Sequence, residues 1–372
     1  MKQKEILRKT LVSQPTPVYV TGIPTKTSEN EKITAIQQGA AAATDFSWLA
    51  SGDSVFIKPV VNSGKNYPAT TDPLAVTAII KLLKEKGAGR IVVGDLAGIG
   101  DVRFYKDHLE GSTRSLMERT GIAQATLRDG AELYCFEEAG WDGFYPETPL
   151  RGKSWKKPLM IPSILKEMDH IILLPRCARH LMASSTLGMK AAIGYLRTDT
   201  RTELHRDAQT FHEKIAEANT IPTLLRKQRL VLTVADRVLT TFGPNEGYIT
   251  NPSTSLVVSS ESIITHDMVS LAWLLENRTY TPQKELKRHS DISKRFANAS
   301  NRNTVFILNR KRITSLRSEN LRKADPKTIW DDPVLNHAFS IIDGIPKIVI
   351  KSTNSFVPQE LQRTLQKAVS TS

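Results

Sequence analysis

The amino-acid sequence predicts an α/β fold: a mostly parallel sheet built from βαβ units, with helices on both faces and a basic insertion. Three observations carry this prediction. Short apolar, β-branched runs at residues 55–61, 90–95, 171–174 and 229–235 have the composition of strands buried on both faces. Helical periodicity separates them, with short connections, which is the order that produces parallel pairing. The stretch HIILLPRCARHLMASSTLGMKAAIGYL, residues 170–196, runs from a strand through a polar loop into a helix, the place where open α/β sheets carry their chemistry.

Residues 1–50 are polar with scattered alanines and are read as an N-terminal extension with a helical pattern near residues 39–43. The first α/β half spans residues 51–160. Its first strand, VFIKPVV at 55–61, contains Lys58, which needs a partner or an exit to water when buried. Pro59 marks the end of regular pairing. A polar loop containing Thr70 and Thr71 follows. Asp72 and Pro73 then stand as N-cap and first helical residue of a helix whose apolar face is Leu74, Val76, Ile79, Ile80, Leu82 and Leu83, with Gly87 as its stop. The strand RIVVGD ends at Asp95. Parallel pairing of these two strands places Lys58 and Asp95 at one carboxyl edge, where ligands of such sheets bind. Gly94, Gly98 and Gly100 are spaced GxxxGxG, which is neither the dinucleotide fingerprint nor a P-loop, so no nucleotide cofactor is predicted. A further strand is expected at 132–136.

The second half spans residues 161–280. A helix at 163–168 leads into the strand at 171–174. About ten residues of irregular loop then carry Arg176, Arg179, His180, Ser184, Ser185 and Thr186, and a helix starting near Gly188 places Lys190 on its first turn. Cationic and hydroxyl groups at a helix N-terminus suit an anion; the alternative is a solvated loop of ordinary surface charge. A polar segment at 198–207 contains His205 and precedes a helix at 209–218 containing His212. The strand at 229–235 ends at Asp236, and Gly243-Pro244 and Gly247 mark a loop. A strand at 256–259 is followed by a helix opening at Ser260 or Glu261 and including His266 and Asp267. Residues 281–328 are read as a basic insertion, and 329–372 as a return to the core through a helix at 333–342 and a strand at 347–351, closing in a polar tail.

Composition limits the function classes. The 372 residues are 40% hydrophobic and 24% charged, with a formal net charge of +13. Residues 281–325 hold 12 Lys and Arg against 4 Asp and Glu, a net +8 that includes the NRKR run at 309–312. The two cysteines, Cys135 and Cys177, form no CxxC, zinc or iron–sulfur pattern, which points to a reducing compartment. No apolar run fits a signal peptide or approaches the ~18 residues of a membrane span, so a soluble, cytoplasmic protein with no membrane partner is expected. No HExxH or GxSxG motif is present, which argues against zincin and serine-hydrolase chemistry.

The leading functional expectation is a small anionic ligand, a carboxylate or a phosphate, at the carboxyl edge of the sheet. Lys58 and Lys190 would bind the anion, with Thr70, Thr71 and Thr186 donating further hydrogen bonds. His180 is the candidate general acid or base. Asp95, Asp236 or Asp267 would orient it or hold a divalent cation through oxygen ligands. Two alternatives stand beside this one: a polyanion or nucleic-acid partner for the 281–325 segment, and a non-catalytic scaffold.

Four blocks in order carry a family resemblance: IKPVVN through ATTDPLAV and the RIVVGD strand; LLPRCARH, Thr186 and Gly188-Met189-Lys190; Thr233 to Asp236 with Gly243-Pro244; and SSESIITHDMVSLA with Asp267. Together they resemble the family called domain of unknown function 362, over roughly residues 55–275. The chain departs from the family's pattern at Val60, Ala178 and Ala191, where the family has Asn, Lys and Asn. It also lacks the ferredoxin-like cysteine module of some members. The resemblance implies an α/β fold and a candidate site at these blocks, and no established reaction.

Overall fold

A computed structural model describes residues 14–24, 26–207, 209–290 and 325–371. Most of the basic segment, including Arg310, Lys311 and Arg312, lies outside the described residues. The core is an 11-stranded mixed sheet. In chain order its strands are β1 (Thr16–Ile23), β2 (Ser54–Pro59), β3 (Arg90–Asp95), β4 (Glu132–Cys135), β5 (His170–Leu174), β6 (Arg176–His180), β7 (Ser184–Thr186), β8 (Gln228–Leu239), β9 (Ile249–Thr250), β10 (Ser255–Ser260) and β11 (Ile348–Ser352). The main path is β11-β1-β10-β8-β5-β2-β3-β4, with β6 and β9 branching from β8, and β7 from β6. Strands β8, β5, β2, β3 and β4 run parallel, and β10 is reversed between β1 and β8. This is the expected mostly parallel α/β sheet.

The residues that form the centre are those that lose most by exposure. Every residue of β5, HIILL, is buried, and β2 is buried from Val55 to Pro59. Their register pairs Lys58 with Leu173. The first two helices among the described residues are α1 (Glu29–Ala43) and α2 (Pro73–Glu85), and α2, the crossover between the parallel strands β2 and β3, shows why the sequence folds as it does. Asp72 caps α2 by accepting from the Leu74 N–H at 2.9 Å, Pro73 occupies the first turn, and Gly87 takes φ 94° just past the end, a left-handed conformation that side chains resist.

Four readings change. Residues 16–43, read as part of an extension, supply β1 and α1; β1 pairs with β10 and β11 inside the sheet. Ser28 and Glu31 form a capping box that starts α1. The irregular loop after β5 is the β6–β7 hairpin, antiparallel from Ala178↔Thr186 to His180↔Ser184, and it is buried throughout rather than solvated. Strand β8 does not end at Asp236 but continues to Leu239, because β6 and β9 supply pairing partners for that extension. The polar tail forms a helix, Gln359–Val369, which buries Leu365 and Val369. Its Gln366 accepts from the Ile350 N–H at 2.9 Å and donates to the Ile348 carbonyl at 2.9 Å, while Gln362 donates to the Ile350 carbonyl at 2.8 Å. These amides satisfy backbone groups that the edge strand β11 leaves unpaired.

Thr71 ties the end of β2 to the end of β5. Its hydroxyl accepts from the Val60 N–H at 2.7 Å and donates to the Leu174 carbonyl at 2.6 Å, fully buried. Thr71→Val keeps the shape and leaves both backbone groups unmet, so it should lower stability by about 1–3 kcal/mol in urea denaturation. An unchanged midpoint would contradict this role.

Candidate functional site

From β2 the chain builds outward through β3 and β4, then returns to place β5 on the other side of β2. That reversal opens a crevice at the carboxyl ends of β2 and β5, the topological switch point of the sheet. A cavity of about 480 Å³ lies there. Its exposed rim is Lys65, Asp101, Arg103, Arg119 and Glu246; its interior carries Lys58, Asp95, Arg176, His180, Thr186, Lys190, Arg201 and His205.

Among these interior groups, four cations face one carboxylate. Lys58 Nζ pairs with Asp95 Oδ1 at 2.9 Å, the two side chains being 1% and 2% exposed. Burial pulls both partners toward neutrality. Asp95 is held against this by the Val61 N–H at 2.7 Å and the Leu96 N–H at 2.9 Å. Arg201, on the helix Thr198–Arg206, spends its guanidinium on the carbonyls of Leu196, Ala97, Leu96 and Gly194. It contributes charge and fixes the loops around Asp95. Arg176 donates from Nη1 to the carbonyls of Ala69 and Pro244, and burial pushes it down to about 9, so it stays charged at neutral pH. Among the described residues its Nε has no hydrogen-bond partner, nor has Thr186 Oγ1, although both are buried.

Lys190 sits on the short helix Gly188–Ala191. Two backbone N–H groups at its start, those of Gly188 and Met189, donate to Asp267 at 2.7 Å each. Gly188 is needed there, since a Cβ would stand 2.7 Å from Asp267 Oδ1. Among the described residues Lys190 Nζ has neither a hydrogen bond nor an ion pair. Burial, then the charges of Arg201, Arg176 and Lys58, push its ammonium down to about 7.

The two histidines carry opposite tautomers. His180 Nδ1 accepts from the N–H groups of Met182 at 3.1 Å and Ala183 at 3.0 Å, so the ring proton is on Nε2. Burial, then the Lys190 and Arg176 charges, hold it well below the usual imidazole range, and it is neutral. His205 Nδ1 donates to the Arg201 carbonyl at 2.6 Å, which leaves Nε2 with its lone pair. Burial and the Lys190 charge hold His205 down at about 3.

The cavity thus brings together Lys58, Asp95, His180, Thr186 and Lys190. It does not include Thr70, Thr71, Asp236 or Asp267. Thr71 stitches backbone, and Asp267 spends its carboxylate on the helix start and on His266 Nδ1 at 2.8 Å. Asp236 accepts from the Tyr67 hydroxyl at 2.5 Å and pairs with Lys32. The three aspartates do not converge, and among the described residues no cluster of three or more His, Cys, Asp or Glu side chains is arranged to hold a metal. Cys135 and Cys177 are buried free thiols. Sequence reasoning placed Arg176 in the anion-suited loop without giving it a role, and did not assign Arg201 or His205 to the site. Only the i, i+4 spacing of Arg201 and His205 on one helix face hinted at the last two.

Residues 55–272 match the family described as "Domain of unknown function (DUF362)". No curated protein matches the sequence. Among solved structures, the chain is similar to a structural-genomics target from Thermotoga maritima, with 12% identity over 68% of this chain and 59% of that one, at a TM-score of 0.42. It is also similar to the lactate racemase apoprotein from Thermoanaerobacterium thermosaccharolyticum, with 12% identity over 70% of this chain and 52% of that one, at a TM-score of 0.36. The chain therefore spans little more than half of either structure. Among the described residues no helix is long and apolar enough to cross a membrane.

Gly194 lies against the Lys58–Asp95 pair: a Cβ there would stand 2.7 Å from Asp95 Oδ1 and closer still to Lys58 Nζ. Gly194→Ala should force the pair apart and leave buried charge uncompensated, lowering stability by about 3–5 kcal/mol. Thermal and urea unfolding check this, and a wild-type midpoint would contradict it.

Proposed function

The chain belongs to the DUF362 family, and from that premise we propose that its cavity binds a small anion, a carboxylate or phosphate compound, by charge and by directed donors. The observation that carries this reading is the imbalance inside the cavity. Lys58, Arg176, Lys190 and Arg201 face the single buried carboxylate of Asp95 in the cavity lining, while among the described residues Lys190 Nζ, Arg176 Nε and Thr186 Oγ1 have no partner. Unmet donors of this kind are costly in a folded protein unless a ligand completes them. A volume of about 480 Å³ suits a metabolite-sized ligand.

The histidines divide the polar work. His180 presents Nε2–H and suits a hydrogen bond to a ligand oxygen, a neutral donor rather than a proton shuttle. His205 presents a lone pair and suits acceptance of a hydrogen bond from a ligand or from Lys190, staying unprotonated near neutral pH. Both imidazoles stay neutral near pH 7, so in place of the acid–base role expected of His180 they serve as a hydrogen-bond donor, His180, and an acceptor, His205. The nucleic-acid reading of residues 281–325 stays a separate proposal that rests on charge alone, +8 over that segment.

Calorimetry with inorganic phosphate and with small mono- and dicarboxylates tests the anion reading. Binding should weaken with salt. It should also weaken as pH rises through about 7, because Lys190 then loses the proton that attracts the anion. Lys190→Met should weaken binding about 10–100-fold and remove that pH dependence. The same variant should be more stable than wild type at pH 7: the folded state depresses the Lys190 pKa, so protonation favours the unfolded chain below the ordinary lysine value. Changing Arg310, Lys311 and Arg312 together to Glu should leave phosphate binding unchanged and abolish any retention of nucleic acid. Wild-type protein that binds none of these anions would overturn the reading in favour of a non-catalytic scaffold.

A further inference from the structure

We propose that Lys190 is a nucleophile that forms an imine with an anionic carbonyl compound, such as a 2-oxo acid or an aldehyde bearing a phosphate. This rests on the anion-binding reading of the same cavity and goes beyond it by assigning a covalent step.

The geometry distinguishes Lys190 from the other cations around it. Lys58 is paired with Asp95, Arg201 donates to four carbonyls, and Arg176 to two. Lys190 Nζ opens into the cavity without a partner among the described residues, on a helix start fixed by Asp267. An amine that served only as a charge would be expected to lie against a carboxylate, as Lys58 does. Crowding by other cations has a second effect: with its ammonium at about 7, a large fraction of Lys190 is a free amine at neutral pH. The same cations then hold the carboxylate or phosphate of the substrate beside it.

The neighbouring histidines supply what imine formation requires. The Lys190 lone pair attacks the carbonyl carbon, a C–N bond forms and the C=O π pair moves to oxygen, where His180 Nε2–H donates a hydrogen bond. The attached nitrogen, held by a hydrogen bond to His205 Nε2, gives one proton to solvent as that oxygen takes one from solvent, giving a neutral carbinolamine. The nitrogen lone pair then forms the C=N bond as the C–O bond breaks; the oxygen leaves as water with a second proton taken from solvent, and the resulting iminium nitrogen returns its remaining proton to solvent. Amine and carbonyl go in; imine and water come out; nothing is oxidised or reduced. Both imidazoles lie near enough to Lys190 for its charge to lower their basicity.

The test uses the full chain, with pyruvate and glyceraldehyde 3-phosphate as probes and cyanoborohydride as the trap. Intact-mass analysis and peptide mapping should find one reduced adduct, on Lys190, and inorganic phosphate should suppress it. Trapping should rise with pH through about 7. His205→Phe should slow adduct formation about 10-fold, by removing the acceptor that orients the amine, without moving the adduct to another residue. Circular dichroism establishes that the variant is folded, and wild-type trapping under phosphate competition stands independently of it. Adducts spread over surface lysines and indifferent to phosphate would overturn the proposal. Phosphate binding by calorimetry without any Lys190 adduct would overturn the imine and leave the anion site. Absence of both would overturn the two together.

Discussion

The Lys58–Asp95 pair is the interaction on which the rest of the site depends. It joins the ends of two parallel strands, and it lies where the sheet reverses its direction of growth. Two ions removed from water are stable together only if the remaining polar atoms are also satisfied. Asp95 meets that condition through the backbone N–H groups of Val61 and Leu96, one from each strand's following loop. Arg201 then ties the carbonyls of Leu96 and Ala97 to those of Gly194 and Leu196. One ion pair thus organises three loops, and Gly194 exists at a point where no side chain fits.

Around that pair the protein carries more positive charge than it neutralises. Such a cavity weakens the fold at neutral pH. The cost is limited by devoting most cations to backbone carbonyls, which hold charge in place without neutralising it. The β6–β7 hairpin adds His180 and Thr186 to the same wall, and its burial means that their orientation is set by backbone pairing rather than by solvent. Opposite backbone partners, two N–H groups for His180 and a carbonyl for His205, give two neutral imidazoles different capacities within one cavity.

Much of the frame was legible in the sequence. Asp72-Pro73, the RIVVGD strand and the 171–174 run follow local rules of capping and burial, and they fold as those rules require. Elements whose stability comes from distant partners were not legible. Strand β1 is held by β10 and β11, more than 200 residues away along the chain, and the tail helix packs onto β11 through glutamines that read as polar surface. The hairpin after β5 is polar in composition and becomes ordered because β8 offers it an edge.

The sequence by itself determined the α/β class, the parallel order of β2, β3 and β5, and the placement of Lys58, Asp95, His180, Thr186 and Lys190 near one edge, since each follows from local periodicity and from the rule that parallel strands end together. Only the tertiary structure decided which groups are already spent. Asp267, Thr71 and Arg201 are chemically as suited to a ligand as Lys190 is, but backbone groups brought from elsewhere in the fold satisfy them, and Lys190 is left unmet among the described residues. Hydrogen-bond satisfaction is a property of positions in space, which one-dimensional spacing does not encode.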